Sequence, residues 1–383
     1  MLELPGYTIY EKVNEYEKTI VYRGYISNDK IPVVIKVLKT ATPADISNFI
    51  YEYELTRSLN IEGIIKPMRL ENTNGNFAMV VADSEDITLK KFFENNTPVE
   101  LPHFFGIAVQ LSQILGELHQ HGIIHSSLNP ESILINPDTG KVKIANFSLA
   151  FNSYLKSENN PMISAEVGNL QYMSPEQLGI AGNGIDYRSD YYSLGVVFYE
   201  MLTGRFPFNA ETHEEWIRVH ASQKPEAPDK INSNIPSALS AIILKLLSKT
   251  ADERYQTANG LVRDLEECRR QWNTTGSIEP FVLGQADTYY GFRLPCRLIG
   301  RESETETLKA AFKCACDGKG ELILLGGYAG TGKTMLINEV LQPLAMEKGY
   351  FGYGKFDQLR KNLPYAPYVN ALGNVIRQLM TEH

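Results

Sequence analysis

Cysteines, targeting signals, long apolar runs and clusters of basic residues are scarce or missing in this sequence of 383 residues. Its four cysteines are too few for a disulfide framework, and the pair at 314 and 316 lacks the second half of a metal motif, which predicts free thiols in a reducing compartment. No apolar stretch is long enough to span a bilayer, and the N-terminus carries no basic-then-apolar signal. A net charge of -8 without any Lys/Arg-rich run argues against nucleic acid or an anionic membrane as a partner. We therefore expect a soluble, cytoplasmic protein without a membrane segment.

The hydrophobic periodicity changes along the chain and predicts two lobes. From residue 7 to about 82, short runs alternate polar and apolar residues around one helical segment near 43–60, which is typical of an antiparallel sheet with a single helix. From about 101 to 270 the period becomes helical, and the run SDYYSLGVVFYEMLTG is apolar on nearly all helical faces, so that helix should be buried. The predicted fold class is therefore α+β and two-lobed, with an N-lobe over about 7–82 and a C-lobe over about 83–270.

A second domain is predicted after these lobes. Residues 271–297 have no sustained period and contain Gly, Pro and Thr, so they are predicted to link a first domain of residues 1–270 to a second of residues 298–383. In the second domain the pattern predicts a helix over 302–316 and an apolar strand over 321–325. The strand runs into GGYAGTGKT and another helix, which is the context that a phosphate-binding loop requires.

Two charged residues of the first lobe occupy positions that should face inward. In KIPVVIKVLK the period-two alternation places Lys36 on the same face as Val34 and Leu38, where an unpaired charge is costly. Glu52 lies in the apolar stripe of the following helix, so a carboxylate also points at the sheet. An ion pair between Lys36 and Glu52 explains both positions. The alternative is two surface side chains with extended aliphatic stems.

Further motifs follow in a recognisable order and spacing. They are HSSLNPES from His125, NFS from Asn146, SPE ending at Glu176, IDYRSDYYSLG containing Asp190, and ADERYQT containing Arg254. Through these motifs, residues 7 to about 266 resemble a bacterial serine/threonine protein kinase domain. The resemblance implies that Lys36 binds the α- and β-phosphates of ATP with Glu52 as its partner, and that His125 opens the catalytic loop. It also implies that Asp190 anchors this loop and that Arg254 pairs with Glu176.

The chain departs from the family's pattern at the positions that carry the chemistry. A kinase needs a carboxylate to accept the proton of the substrate hydroxyl, and an Asn and an Asp to hold the metal ions. Here the base position is Ser127, the loop-lysine position is Asn129, and the two metal positions are Ser132 and Asn146. A serine hydroxyl does not act as a base near neutral pH as a carboxylate does. The stretch from Val13 to Gly24 reads VNEYEKTIVYRG and has no glycine before its last residue, so it lacks the glycine-rich loop that lets a backbone approach phosphates closely.

These departures predict a catalytically impaired, pseudokinase-like domain. A general base contributes about 10²- to 10⁴-fold to a rate, and the electrostatic clamp on a phosphoryl group contributes at least as much. The alternative is an active or atypical kinase in which Asp138 or another nearby acid replaces the missing base. The NPDTG segment around Asp138 is, however, typical of a turn that faces solvent.

The stretch from Gly327 to Thr334 is a complete G-x-x-x-x-G-K-T phosphate-binding motif. In such a loop, glycines such as Gly327, Gly330 and Gly332 let backbone N–H groups converge on phosphate. Lys333 would reach the β- and γ-phosphates of ATP, and the Thr334 hydroxyl would ligate Mg²⁺. A glycine-rich structural turn is the alternative.

The residues before this motif extend the resemblance. Residues 298–312 (LIGRESETETLKAAF) resemble the opening segment of AAA-like signalling ATPases. The order of domains is similar to the front end of large bacterial, notably cyanobacterial, multidomain signalling kinases, which implies ATP as ligand and protein partners in a signalling pathway. Only 49 residues follow Thr334 (383 minus 334), without a second metal-holding motif. We therefore expect an incomplete ATPase domain, from either a fragment of a longer protein or a truncated product.

Three functions remain open from the sequence. The first is a non-catalytic kinase-fold module that binds partners and nucleotide. The second is an active serine/threonine kinase, which Lys36 and Glu52 permit and the lost carboxylates oppose. The third is an NTP-driven switch, in which the phosphate-binding loop works and the kinase-like lobe acts as a sensor.

Overall fold

The computed structural model describes residues 4–39, 42–73, 75–152, 170–178, 185–287 and 301–327, and isolated positions beyond residue 327. The chain divides into two compact units, Met1–Tyr290 and Gly291–His383. Among the described helices, none combines the length and the apolar character that a bilayer span requires.

The first lobe is the predicted antiparallel sheet with a single helix. Its elements are β1 Tyr7–Glu15, β2 Thr19–Ile26, β3 Pro32–Leu38, α1 Pro43–Ser58, β4 Pro67–Thr73 and β5 Asn76–Ala82. The sheet has the strand order β1-β2-β3-β5-β4, and Thr42 caps the helix α1 by accepting a hydrogen bond from the Asp45 backbone N–H. Val33 and Ile35 point into one apolar layer of the sheet, whereas Leu38 packs with Phe49 of α1 on the other face.

The second lobe is helical, with short strands on the side of the cleft. Its largest core surrounds the helix Arg188–Thr203, where residues 189–199 are buried without interruption, so the prediction of a buried helix is confirmed. The helices are α2 Leu89–Asn96, α3 Leu101–Gln120, α4 Arg188–Thr203, α5 His213–Ser222, α6 Pro228–Ile231, α7 Ser237–Leu246 and α8 Ala258–Thr275. The strands are β6 Ile87–Thr88, β7 Ile123–Ile124, β8 Ile133–Ile135, β9 Val142–Ile144 and β10 Phe151–Asn152; β6, β8 and β9 form one small sheet, and β7 pairs with β10.

The first unit continues beyond the predicted domain boundary at residue 270. Helix α8 ends at Thr275, and the Asp287 carboxylate accepts hydrogen bonds from the backbone N–H groups of Gln256 (2.8 Å) and Thr257 (2.7 Å). Ile278 is buried in the same core. The prediction of a linker from residue 271 therefore starts too early. It failed because this segment is held by side-chain to backbone hydrogen bonds, which leave no hydrophobic period in the sequence.

The second unit contains the predicted helix, α9 Glu302–Cys316. The predicted strand over 321–325 is wrong, because the described residues 321–327 form no strand. Leu322 and Leu324 are 86% and 87% exposed, and no described strand pairs with them. An apolar run alone does not make a strand, which also needs a hydrogen-bonded neighbour.

A buried histidine in α5 provides a test of the packing of the second lobe. His220 is buried, its Nδ1 lies 2.8 Å from the Tyr192 hydroxyl, and burial followed by the Lys249 charge lowers the pKa of the imidazole to about 3. Unfolded histidine binds its proton near pH 6.5, so the native state loses stability as the pH falls below that value. The loss is about 2 kcal/mol between pH 6.5 and 5.

We expect His220→Gln to remove this acid-dependent loss, because glutamine does not titrate. Urea unfolding at several pH values measures the slope of the unfolding free energy against pH. The exposed His213 of the same helix supplies the control, since His213→Gln should keep the wild-type slope. Equal slopes in the two variants would contradict a buried neutral His220.

Candidate functional site

The site is a cleft between the five-stranded sheet and the helical lobe of the first unit, and Lys36 lies at its centre. The Lys36 Nζ is 2.8 Å from each carboxylate oxygen of Glu52 and 3.1 Å from Oδ1 of Asn146. The side chains of Lys36 and Glu52 are 16% and 5% exposed. The predicted ion pair is confirmed, and it forms because α1 packs its Glu52 face against β3.

The segment from Asn146 to Ser148 is fixed from two sides. Asn146 has a φ of 63°, a left-handed conformation that asparagine tolerates better than most residues. The Phe147 backbone N–H donates to Oε1 of Glu52 at 3.2 Å, and the buried Phe147 ring packs edge-on against His125 with centroids 4.9 Å apart. The carboxamide of Asn146 is thereby held against Lys36.

The catalytic-loop region is anchored on a buried carboxylate of α4, as the resemblance implies. Asp190 accepts hydrogen bonds from the backbone N–H groups of His125 (2.9 Å) and Ser126 (2.8 Å), and lies 2.9 Å from Nε2 of His119. Burial alone would raise the pKa of Asp190, but His119 and these N–H groups outweigh it, so the pKa lies below its usual value. The charged carboxylate therefore fixes the loop through its backbone. Burial lowers the pKa of His125, whose Nε2 lies 3.0 Å from the Ala145 carbonyl oxygen.

The side chains of Asn129 and Ser132, at two of the altered positions, form hydrogen bonds with the backbone of their own loop. Ser132 accepts from the backbone N–H of Asn129 (3.0 Å) and donates to its carbonyl oxygen (2.9 Å). The Asn129 carboxamide donates to the Ser127 carbonyl oxygen (3.0 Å) and accepts from the Glu131 backbone N–H (2.8 Å). The structure thus brings Ser127, Asn129, Ser132 and Asn146 to one region. The side chains of Asn129, Ser132 and Asn146 make local contacts there, whereas Ser127 takes part through its backbone carbonyl oxygen.

This donor set does not fit a divalent cation. Mg²⁺ sites are built mainly from carboxylates, phosphate oxygens and water, and the Asn ligand of a kinase acts beside an Asp carboxylate. Here the two positions that would ligate the metal carry a hydroxyl engaged in its own loop, on Ser132, and a carboxamide directed at the positive Lys36, on Asn146. A divalent cation at this place would be repelled by the Lys36 ammonium, and neither Ser132 nor Asn146 would supply a negative charge to offset that repulsion.

Glu131 is an acid of the cleft that sequence reasoning missed. It lines the cleft beside Lys36, and its carboxylate forms an ion pair with Lys90 of α2. Asp138, the replacement base considered from the sequence, lies exposed in a turn and does not line the cleft. Only its position between Pro130 and Ser132, inside the loop itself, could have identified Glu131.

A second confirmed ion pair ties the segment around residue 176 to the helical lobe. Arg254 Nη1 and Nη2 donate to the two carboxylate oxygens of Glu176 at 2.6 and 2.9 Å. Ser189 also donates to Glu176, at 2.7 Å, and Arg254 donates to the Ser248 and Arg188 carbonyl oxygens. Both side chains are buried, so the pair is a closed polar network.

The predicted phosphate-binding loop is described only in part. Lys333 has helical conformation, and its Nζ donates a hydrogen bond to the Gly327 carbonyl oxygen at 2.7 Å. Gly330, Gly332 and Thr334 lie outside the described residues. The predicted cradle therefore stays a prediction.

A sheet lobe with a buried lysine–glutamate pair, joined to a helical lobe whose central helix holds a loop through a buried aspartate, is the architecture of a protein kinase domain. Comparison with known proteins agrees: the chain belongs to the protein kinase domain family, whose model matches residues 7–264. Residues 297–383 match the model of an AAA ATPase domain, so the kinase domain is followed by an ATPase domain. Both kinds of domain imply ATP binding, usually with Mg²⁺.

Three relatives of the chain carry the names of kinases. The chain is 30% identical to the hybrid signal transduction histidine kinase G of Dictyostelium discoideum over 74% of this chain and 11% of that protein. It is 32% identical to the serine/threonine-protein kinase PknB of Mycolicibacterium smegmatis, over 61% of this chain and 38% of PknB. It is 29% identical to the serine/threonine-protein kinase PrkC of Bacillus subtilis, over 63% of this chain and 38% of PrkC. The chain thus spans about two fifths or less of these relatives' own lengths.

Proposed function

We propose that this chain is a signalling protein whose kinase domain is a pseudokinase and whose C-terminal phosphate-binding loop is its main ATP site. The observation that carries the proposal is the state of Asn146. The residue lacks the negative charge of the aspartate that holds metal ions in a kinase, and its carboxamide oxygen lies 3.1 Å from the Lys36 ammonium. The contacts of Ser127, Asn129 and Ser132 within their own loop support the same reading. The proposed role is to bind proteins of a signalling pathway, as part of a larger multidomain kinase of the bacterial, cyanobacterial kind.

Phosphotransfer by the full chain tests this proposal. We expect no autophosphorylation and no labelling of a generic protein substrate above a Lys36→Met control, with either Mg²⁺ or Mn²⁺ and radiolabelled ATP. The missing base alone accounts for about 10²- to 10⁴-fold, and the altered metal positions reduce the rate further, although such losses do not simply multiply. Robust incorporation that disappears in Lys36→Met would overturn the pseudokinase proposal.

A restored variant sharpens the result. The triple variant Ser127→Asp, Ser132→Asn and Asn146→Asp supplies a base and two metal ligands, but residues 13–24 remain without the glycine loop. We expect at most partial activity from it.

An active atypical kinase is the second candidate, favoured by the retained Lys36–Glu52 pair and by Glu131 in the cleft. Glu131→Gln separates the two, because any activity that depends on Glu131 as base would disappear in this variant.

The third candidate, an NTP-driven switch, rests on the phosphate-binding loop. We expect Lys333→Ala to weaken ATP and ADP binding at least about 10-fold by calorimetry, a loss of roughly 1.4 kcal/mol. Lys36→Ala should change it less than about 2-fold, because the Lys36 ammonium is already engaged by Glu52 and Asn146. A larger loss of binding in Lys36→Ala than in Lys333→Ala would indicate that the nucleotide binds in the kinase cleft. Absence of binding in the parent would mean that the loop does not form a cradle.

A further inference from the structure

The last described residues of the first unit form a strap that binds to α8. We call residues 276–287 the strap, and the structure places no helix and no strand among them. Ile278 is buried, and Phe281 and Leu283 pack against the helical core. The strap ends ten positions before residue 297, where the match to the ATPase domain begins (297 minus 287). It is therefore the part of the first unit that leads along the chain toward the second domain.

The Asp287 carboxylate binds the strap to the start of α8. It accepts hydrogen bonds from the backbone N–H groups of Gln256 (2.8 Å) and Thr257 (2.7 Å) and from the Thr257 hydroxyl (2.9 Å). A helix start favours a negative charge, because its first N–H groups have no partner within the helix. Gly260 permits this close approach, since a Cβ added there would lie 2.5 Å from the Asp287 Cβ. The contact thus depends on the absence of a side chain at position 260.

Asp264 of α8 makes a second attachment to the strap. Its Oδ2 accepts hydrogen bonds from the backbone N–H of Gly284 (2.8 Å) and from the Tyr255 hydroxyl (2.6 Å). Asp264 is buried, and burial, with a further contribution from the charge of Asp287, raises the pKa of its carboxyl group. The two carboxylates repel each other, so the bound strap is opposed by a like-charge repulsion that its release would relieve.

The two attachments lie on the residues that directly follow Arg254. Tyr255 and Gln256 are each bound by one of the two aspartates. The Gln256 side chain closes the same loop, because its Nε2 donates to the Arg254 carbonyl oxygen at 2.7 Å. Arg254 in turn donates to both carboxylate oxygens of Glu176. One short loop therefore connects the strap to the segment of residues 170–178.

We propose that the strap is a regulatory latch, which fixes the loop carrying Arg254 while it is bound and weakens the contact of Arg254 with Glu176 when it is released. Coupling between two places in a protein requires an element whose arrangement both of them affect. The loop of residues 254–257 is such an element, since one side is bound to the strap and the other to Glu176. A displacement of the chain beyond residue 287 would act first on the strap. The proposal goes beyond the proposed function and is independent of kinase activity.

Hydrogen exchange of the full chain, followed by mass spectrometry, tests the latch. Gly260→Ala displaces Asp287 by steric overlap while every hydrogen-bonding group stays in the chain. Alanine also favours a helix more than glycine does, so the change does not weaken α8 by itself. We expect the amides of residues 170–178 to exchange at least about 10-fold faster, and those of β3 and β5 to change less than about 2-fold. This difference separates release of the strap from a general loss of stability.

Two variants serve as matched controls. Gly106→Ala adds the same methyl group to α3, where no atom lies within 4 Å of the added Cβ. Glu279→Ala removes an exposed acid from the strap itself. Both should leave exchange of residues 170–178 at the wild-type rate. If Gly260→Ala accelerates exchange only within the strap, or equally in all regions, the strap does not control the segment around Glu176 and the proposal is overturned.

Asp287→Ala tests the same contact without adding a group to α8. It removes the acceptor of the Gln256 and Thr257 N–H groups, so residues 170–178 should again exchange at least about 10-fold faster than the sheet does. Wild-type exchange of that segment in Asp287→Ala would also reject the latch.

Glu176→Gln tests the coupling in the reverse direction, because coupling between two places is reciprocal. Glutamine keeps an acceptor oxygen for Arg254 but removes the negative charge. We expect the strap amides, including those of Gly284 and Asp287, to exchange at least about 3-fold faster in this variant. Unchanged exchange of the strap would mean that Glu176 does not act on it through the loop of residues 254–257, which would overturn the proposal.

Discussion

Arg254→Ala is expected to lower the free energy of unfolding of the first unit by about 3–5 kcal/mol. The guanidinium is fully buried and makes both hydrogen bonds to Glu176 at 2.6 and 2.9 Å, so its removal leaves a buried carboxylate without its cation. Burial alone would raise the pKa of Glu176, and the hydrogen bonds and charge of Arg254 reverse this, so the pKa lies below its usual value. Urea unfolding followed by tryptophan fluorescence and circular dichroism measures the change.

Arg205 provides the matched control for this prediction. It pairs with Glu226 at 2.9 Å, but the two side chains are 53% and 58% exposed, so Arg205→Ala should cost less than about 1 kcal/mol. If Arg254→Ala costs no more than Arg205→Ala, the buried network does not hold the segment around Glu176.

Asp190→Ala is expected to cost about 2–5 kcal/mol, because it leaves the backbone N–H groups of His125 and Ser126 buried without an acceptor. Asp190→Asn keeps one acceptor oxygen and should fall between the wild type and Asp190→Ala. Asp138→Ala, an exposed acid in the same lobe, should change stability by less than about 0.5 kcal/mol. Equal effects of Asp190→Ala and Asp138→Ala would contradict the anchoring role.

The pH dependence gives this prediction a second measurement. The pKa of Asp190 in the folded chain lies below its usual value, so the unfolded state binds the proton first. The stabilisation is therefore fully present above about pH 4 and is lost as the pH falls through the folded-state pKa. The difference in unfolding free energy between the wild type and Asp190→Asn should shrink over that acid range. A difference independent of pH would argue against a charged Asp190.

The lysine–glutamate pair is a part of the site that could be predicted from the sequence. The period-two alternation of β3 and the helical stripe of α1 placed both charges on facing surfaces, and the structure confirms their contact. Burial of α4 and contact between Glu176 and Arg254 were predicted with equal success, the first from periodicity and the second from the resemblance. These features follow from local patterns, since a buried charge needs a partner and an all-apolar helix needs a core.

Other features have no local signal. Asp287 binds the start of α8 from about 30 residues away, and nothing in the sequence around it indicates this contact. Glu131 faces the cleft only because the closed loop of residues 127–132 directs it there. The run over 321–325 is apolar, yet Leu322 and Leu324 are exposed, because strand formation depends on a neighbour that the run cannot supply.

The sequence by itself determined the two lobes, the order of the domains, and the loss of carboxylates at positions 127 and 146. Those properties depend on residue type, spacing and periodicity, which can be read along one strand or one helix. The tertiary structure alone decided that the Lys36 ammonium contacts both Glu52 and Asn146, and that Glu131 lines the cleft. These arrangements depend on distances between segments, some of which are more than 100 residues apart in the sequence. Packing of the sheet lobe on the helical lobe sets those distances.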